Sequence, residues 1–196
     1  DVPTSTDYVK DGATAIETLG DDIDATLYSV TGGKGVGLQL LTNTSFTTQS
    51  TVNFTNVFSS TYSFYRIVGT ITGSTGSAVL NARFRENTTD KSTGYYGASG
   101  IAAFGGQFQI GDAFNNTAQF TFRSVGSGGP GLFNVDVYRT ATNGQLSGTL
   151  SDYPNGQAVF IGINNASMSN FTGFSIYPAS GTITGNVKIY GYKETV

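Results

Sequence analysis

Hydrophobic residues change their period near Thr31. Beyond that point they alternate with polar or small residues at every second position. Tyr65, Ile67, Gly69 and Ile71 share one face, with Arg66, Val68, Thr70 and Thr72 opposite. Ala118, Phe120 and Phe122 alternate with Gln119, Thr121 and Arg123, and Phe133, Val135 and Val137 with Asn134, Asp136 and Tyr138. Near the end, Ile183, Val187 and Ile189 lie opposite Lys188, Tyr190 and Tyr192. A period of two marks half-buried antiparallel strands. Turn-forming clusters separate them: Gly73–Gly76, Gly126–Gly131, Thr142–Gly144 and Tyr153–Gly156. Eight to ten strands at this spacing predict an all-β head over residues 31–196, an antiparallel β-sandwich of jelly-roll-like form. Val159, Phe160, Ile161 and Ile163 are apolar on both faces, which predicts a central strand or a subunit contact.

The first thirty residues obey a different rule. They carry seven of the thirteen acidic residues, and Val9, Ile16, Ile23 and Val30 recur every seventh position. With these at heptad position a, position d receives Gly12, Leu19 and Thr26, so only half the seam is well filled. Three such heptads do not hold together alone. Residues 1–30 therefore predict a short helical, coiled-coil stalk shared by several chains, with Val9, Ile16, Leu19, Ile23 and Val30 as its contacts. A single amphipathic helix packed on the head is the plainer alternative. Gly20 is expected to weaken the helix, and Gly32–Gly37 to act as a hinge into the first strand.

Composition narrows the chemistry. The chain has no Cys and no His, which removes disulfides, thiol chemistry and the commonest general base and metal ligand. Charged residues make up only 12% and the net charge is −3, so the basic stripe of a nucleic-acid binder is missing. No apolar run is long enough to suggest membrane insertion. The carboxylates Glu86, Asp90, Asp112, Asp136, Asp152 and Glu194 show no spacing that would pair two of them about 5–10 Å apart, as glycoside hydrolysis needs. Asp21, Asp22 and Asp24 read as a charged helix face rather than a cation site. No enzymatic activity, metal or cofactor is expected. The chain begins at Asp1, without Met or an apolar leader, and reads as a piece of a longer protein.

Binding chemistry is better supplied. Sugars are held by aromatic faces against their C–H groups and by amides and carboxylates on their hydroxyls. The stretch Asn87–Tyr96 offers both, with Asp90, Lys91, Tyr95 and Tyr96 as candidates. Asp152, Tyr153 and Asn155 form a second cluster. Adjacent Tyr95 and Tyr96 cannot both point inward from an extended segment, so at least one is expected at the surface or at an interface.

The stretch Asn53-Phe54-Thr55-Asn56-Val57-Phe58-Ser59-Ser60-Thr61-Tyr62-Ser63-Phe64-Tyr65-Arg66-Ile67-Val68 resembles the opening of β-rich appendage domains in virion proteins of tailed bacteriophages, marine cyanophages in particular. The closing Thr182–Tyr192 and the leader Leu19–Tyr28 resemble the end of such domains and the helix that precedes them. The resemblance covers both ends of the chain and brings no catalytic residue. It implies a trimeric fibre or other appendage, assembled in the bacterial host cytoplasm and extracellular on the mature virion. Its partners would be other virion proteins upstream of residue 1 and host cell-surface polysaccharide. A purely structural decoration, collar or neck-fibre role is the alternative, and a depolymerase a remoter one.

Overall fold

The computed structural model describes residues 5–27, 37–76, 79–103, 108–124, 131–139, 144–152, 157–165 and 171–193. They fall into two units, one holding the N-terminal helix and the other Leu38–Tyr192.

Helix α1 (Ser5–Leu27) runs without a break through Gly12 and Gly20. The expected weakening at Gly20 does not interrupt it. Hydroxyls of Thr18 and Thr26 donate to the carbonyls of Thr14 and Asp22, one turn earlier. Ile16, Leu19 and Ile23, spaced by three and four residues, form one stripe and are exposed, Ile16 by 73%. Val9 lies within α1, whereas Val30 and most of the Gly32–Gly37 hinge lie outside the described residues. Among the described residues no helix is long and apolar enough to cross a membrane.

The second unit is all-β and antiparallel. Its strands are β1 (Gly37–Gln49), β2 (Val52–Phe54), β3 (Phe64–Thr75), β4 (Val79–Glu86), β5 (Thr89–Asp90), β6 (Tyr95–Ala103), β7 (Phe108–Thr117), β8 (Phe120–Ser124), β9 (Gly131–Arg139), β10 (Gly144–Asp152), β11 (Gln157–Asn165), β12 (Gly173–Pro178) and β13 (Thr182–Lys193). Thirteen strands among the described residues exceed the eight to ten expected. The surplus includes very short elements such as β5 and Gly- and Asn-rich strands such as β6 and β7, whose side chains blur the alternation.

The strands make two sheets. The large one has the order β1-β13-β3-β9-β10-β11-β6-β7. The small one runs β2-β12-β4-β5, with β8 also paired to β4. Both contribute to one hydrophobic core. The large sheet supplies Tyr65, Ile67, Ile71, Val135, Val137, Ile163, Val187 and Ile189, and the small one Phe54, Phe84, Phe120, Phe122, Phe174 and Ile176. Burial of each such side chain stabilises by about 1.5–3 kcal/mol before chain entropy is subtracted. The apolar strand β11 is central, between β10 and β6, with Val159, Ile161 and Ile163 inward and Phe160 exposed.

The loop from β2 to β3, which carries much of the appendage-like motif, is mostly exposed but sends Phe58 into the core. Phe58 packs edge-on against Tyr65 and Phe171, and its N–H donates to the Thr172 carbonyl at 2.9 Å. The Tyr65 hydroxyl accepts from the Ser59 N–H and donates to the Ser59 carbonyl, both at 2.7 Å. Burial raises the Tyr65 pKa above its ordinary value.

Candidate functional site

The stretch Asp90–Tyr96, expected to act as one cluster, is divided among three environments. Asp90 is drawn to Arg85, a buried guanidinium that also donates to Asn53 Oδ1 at 2.6 Å and to the Thr88 carbonyl. Lys91 is partly buried, and its N–H donates to the Phe84 carbonyl at 2.9 Å. Tyr95 is 0% exposed. Its hydroxyl accepts from the Phe84 N–H at 2.7 Å and donates to the Lys91 carbonyl at 3.1 Å. The β8 pairing of β4 reaches Ala82 and the β5 pairing begins at Arg85, so Tyr95 serves a backbone donor between two ladders. Burial pushes its phenol pKa well above the ordinary 10.0. Tyr95 is therefore a core residue and presents no ring to a ligand, which corrects its expected place in the binding set. Asp152 ends β10, and Tyr153 and Asn155 lie outside the described residues.

Tyr96 is 40% exposed and faces the other way. A register shift in the β6–β7 pairing falls between Tyr95 and Gly97, placing Tyr96 opposite a bulge at the exposed Asn115 and Asn116. Bulges of this kind re-aim a side chain. The next residue has to be glycine: Gly97 has a φ of 150°, and a Cβ there would meet the Gly162 carbonyl oxygen at 2.1 Å. That close approach keeps β6 against β11 beside Tyr96.

Strand register then assembles a row that sequence reasoning missed. On the outer face of the large sheet, Phe64 pairs with Tyr138, Tyr138 with Gln145, Gln145 with Asn164, and Asn164 with Tyr96. Two aromatic residues, two amides and a third aromatic thus stand side by side across β3, β9, β10, β11 and β6. Phe64 and Tyr138 stack at 4.5 Å between centroids. They line a depression of about 300 Å³ with Asp136, Gln145, Leu146 and Ser147. In the adjacent row Arg66 grips Asp136 at two points, Nε to Oδ1 and a terminal nitrogen to Oδ2, each 2.8 Å. That hydrogen bonding raises the Arg66 pKa further. Asn164 Oδ1 is shielded from water and has no hydrogen-bond partner among the described residues.

Four to six residues further along the strands the same face carries an apolar band among Asn134 and Thr149. Val68, Leu132 and Phe160 are exposed there, and Val68 and Leu132 line a groove of about 320 Å³ with Asn134, Thr149 and Ala158.

One signal for the row was already visible. Tyr138 shares the polar face of its strand with Asn134 and Asp136, a cue that a single exposed aromatic does not by itself turn into a site. What sequence could not supply was the register joining five strands. No protein-family model matches this chain, and no curated protein matches it.

Proposed function

We propose that this chain is a non-catalytic recognition module of a bacteriophage fibre or related virion appendage, which binds host cell-surface glycan through the outer face of its large sheet. The observation that carries the reading is the Phe64–Tyr138–Gln145–Asn164–Tyr96 row. It sets aromatic faces beside amides over a shallow depression, the combination that suits sugar C–H faces and hydroxyls. The appendage assignment rests on the resemblance of Asn53–Val68 and Thr182–Tyr192 to phage virion proteins.

The strand order supports a jelly-roll-like head. β1-β13-β3-β9 in one sheet and β2-β12-β4-β8 in the other interleave the two ends of the chain, as paired Greek keys do. In the proposed homotrimer the exposed Ile16–Leu19–Ile23 stripe forms a coiled-coil stalk, and the apolar band at Val68, Leu132 and Phe160 offers further area for subunits. The same band favours the second reading, a structural virion component whose partner is another virion protein.

Titration with polysaccharide extracted from cyanobacterial cell surfaces, read by NMR of the tyrosine rings, tests the glycan reading. Saturating polysaccharide should shift Tyr96 and Tyr138 and leave Tyr95 in place. Unchanged Tyr96 and Tyr138 signals reject the site. Light scattering over a range of concentrations tests assembly, and a concentration-independent monomer rejects the stalk.

A further inference from the structure

Resting on the glycan reading, we infer that the row takes an uncharged, linear oligosaccharide laid across the strands, with aromatic contacts at both ends and amides between them. Its length follows from register. Phe64 on β3 and Tyr96 on β6 are separated by β9, β10 and β11. Four strand spacings of about 4.8 Å put the ends roughly 19 Å apart. A mono- or disaccharide is too short to touch both.

Its neutrality follows from charge. All five residues of the row are uncharged. In the neighbouring row Arg66 and Asp136 already satisfy each other through two hydrogen bonds. A carboxylate or sulfate on the ligand that approached Arg66 would meet Asp136, whose charge already offsets that of the guanidinium. A neutral hydroxyl can share the pair's remaining lone pairs without breaking it.

Its preferred contact follows from Asn164. A shielded acceptor without a donor is costly, and no side chain in the row supplies the donor. Gln145 and Tyr96 flank Asn164 on either strand, and both are exposed. A sugar hydroxyl or acetamido N–H that enters as one of them swings aside gives Asn164 Oδ1 its missing partner. The exposed Asn115 and Asn116 opposite Tyr96 extend the amide surface beyond that end.

The test is a printed array of neutral and acidic glycans, each series running from monosaccharide to hexasaccharide, probed with the intact chain and with Phe64→Ala and Tyr96→Ala. Neutral chains of tetrasaccharide length or more should be retained, and mono- and disaccharides should not. Each variant should lower retention of the long neutral chains about tenfold, as expected for one stacking contact. Both positions are surface ones, and an unchanged melting temperature shows that each variant is folded. Equal retention of short and long sugars, loss through one end only, or preference for acidic chains that fades with salt overturns the inference. If the polysaccharide titration still moves Tyr96 in that case, the glycan reading stands without it. Retention of no glycan in either experiment removes both.

Discussion

Tyr95 and Tyr96 are consecutive, chemically identical and opposite in fate. Tyr95 lies wholly within the core, its hydroxyl closing a gap between two ladders, while Tyr96 stands on the outer face at the end of a polar row. The contrast extends to the whole large sheet. Its inner face is a continuous hydrophobic layer built from β3, β9, β11 and β13, and its outer face mixes amides, small residues and isolated aromatics. Parity along a strand, not residue type, decides whether a side chain is structural or available. The most direct attempt to break this comparison is alanine at each tyrosine. Tyr95→Ala should cost about 3–5 kcal/mol of stability, the usual cost of removing a buried aromatic ring. Tyr96→Ala should stay within about 0.5 kcal/mol of the parent. Urea denaturation measures both, and similar losses for the two would show that the outer face is also load-carrying.

The two arginine–aspartate pairs repeat the contrast in charge. Arg85 and Asp90 join β4 to β5, with side-chain exposures of 8% and 25%. Asp90→Ala strands a buried guanidinium whose Nε has no partner among the described residues. The expected loss lies toward the lower end of about 3–5 kcal/mol, since Asp90 is partly solvated. A loss below the range typical of exposed pairs would mean that Asn53 and the Thr88 carbonyl suffice to hold Arg85.

A finer cut separates the Tyr95 ring from its hydroxyl. Tyr95→Phe keeps the packing but leaves the Phe84 N–H without its acceptor, at about 1–3 kcal/mol. The same hydroxyl makes stability depend on alkaline pH. Its folded pKa lies above the 10.0 of the unfolded chain, so below pH 10 the contribution is fully present. Above that, the unfolded state loses the proton while the folded state keeps it, and stability falls as pH rises. Tyr65 and Tyr177, both raised by burial, act in the same direction. Phenolate absorbance should therefore rise in two stages, exposed tyrosines first and buried ones only with unfolding. A single stage with the fold intact would show that the core hydroxyls are open to solvent.

Much of the fold was legible because alternation is a local signal. The inward sets on β3, β8, β9 and β13 read directly from the chain, as did the helix and its Ile16–Leu19–Ile23 stripe. The site was less legible because it is a property of register. Phe64, Tyr138, Gln145, Asn164 and Tyr96 are scattered over more than a hundred positions, and only strand pairing makes them neighbours. Proximity in sequence misled in the opposite direction. Asp90, Lys91, Tyr95 and Tyr96 are close in the chain, yet the passage from β5 in the small sheet to β6 in the large one disperses them. The appendage-like motif is split in the same way: Phe58, Tyr65 and Ile67 are core, while Phe64 and Val68 stand on the outer face.

The smallest expected effect lies on the outer face. Arg66 and Asp136 have side-chain exposures of 35% and 46%, so water competes for their charges and their bidentate geometry stabilises little. Asp136→Asn should cost about 0.2–1 kcal/mol, and less at high salt. Its value lies in what it frees. With the carboxylate gone, Arg66 becomes an uncommitted cation one row from the amides, over the Tyr192 ring at 5.8 Å. On the proposed glycan reading, acidic glycans should then be retained with a salt dependence that the parent is expected to lack. A variant that still rejects acidic chains would show that the neutrality of the row itself, rather than the self-satisfied pair beside it, sets the preference.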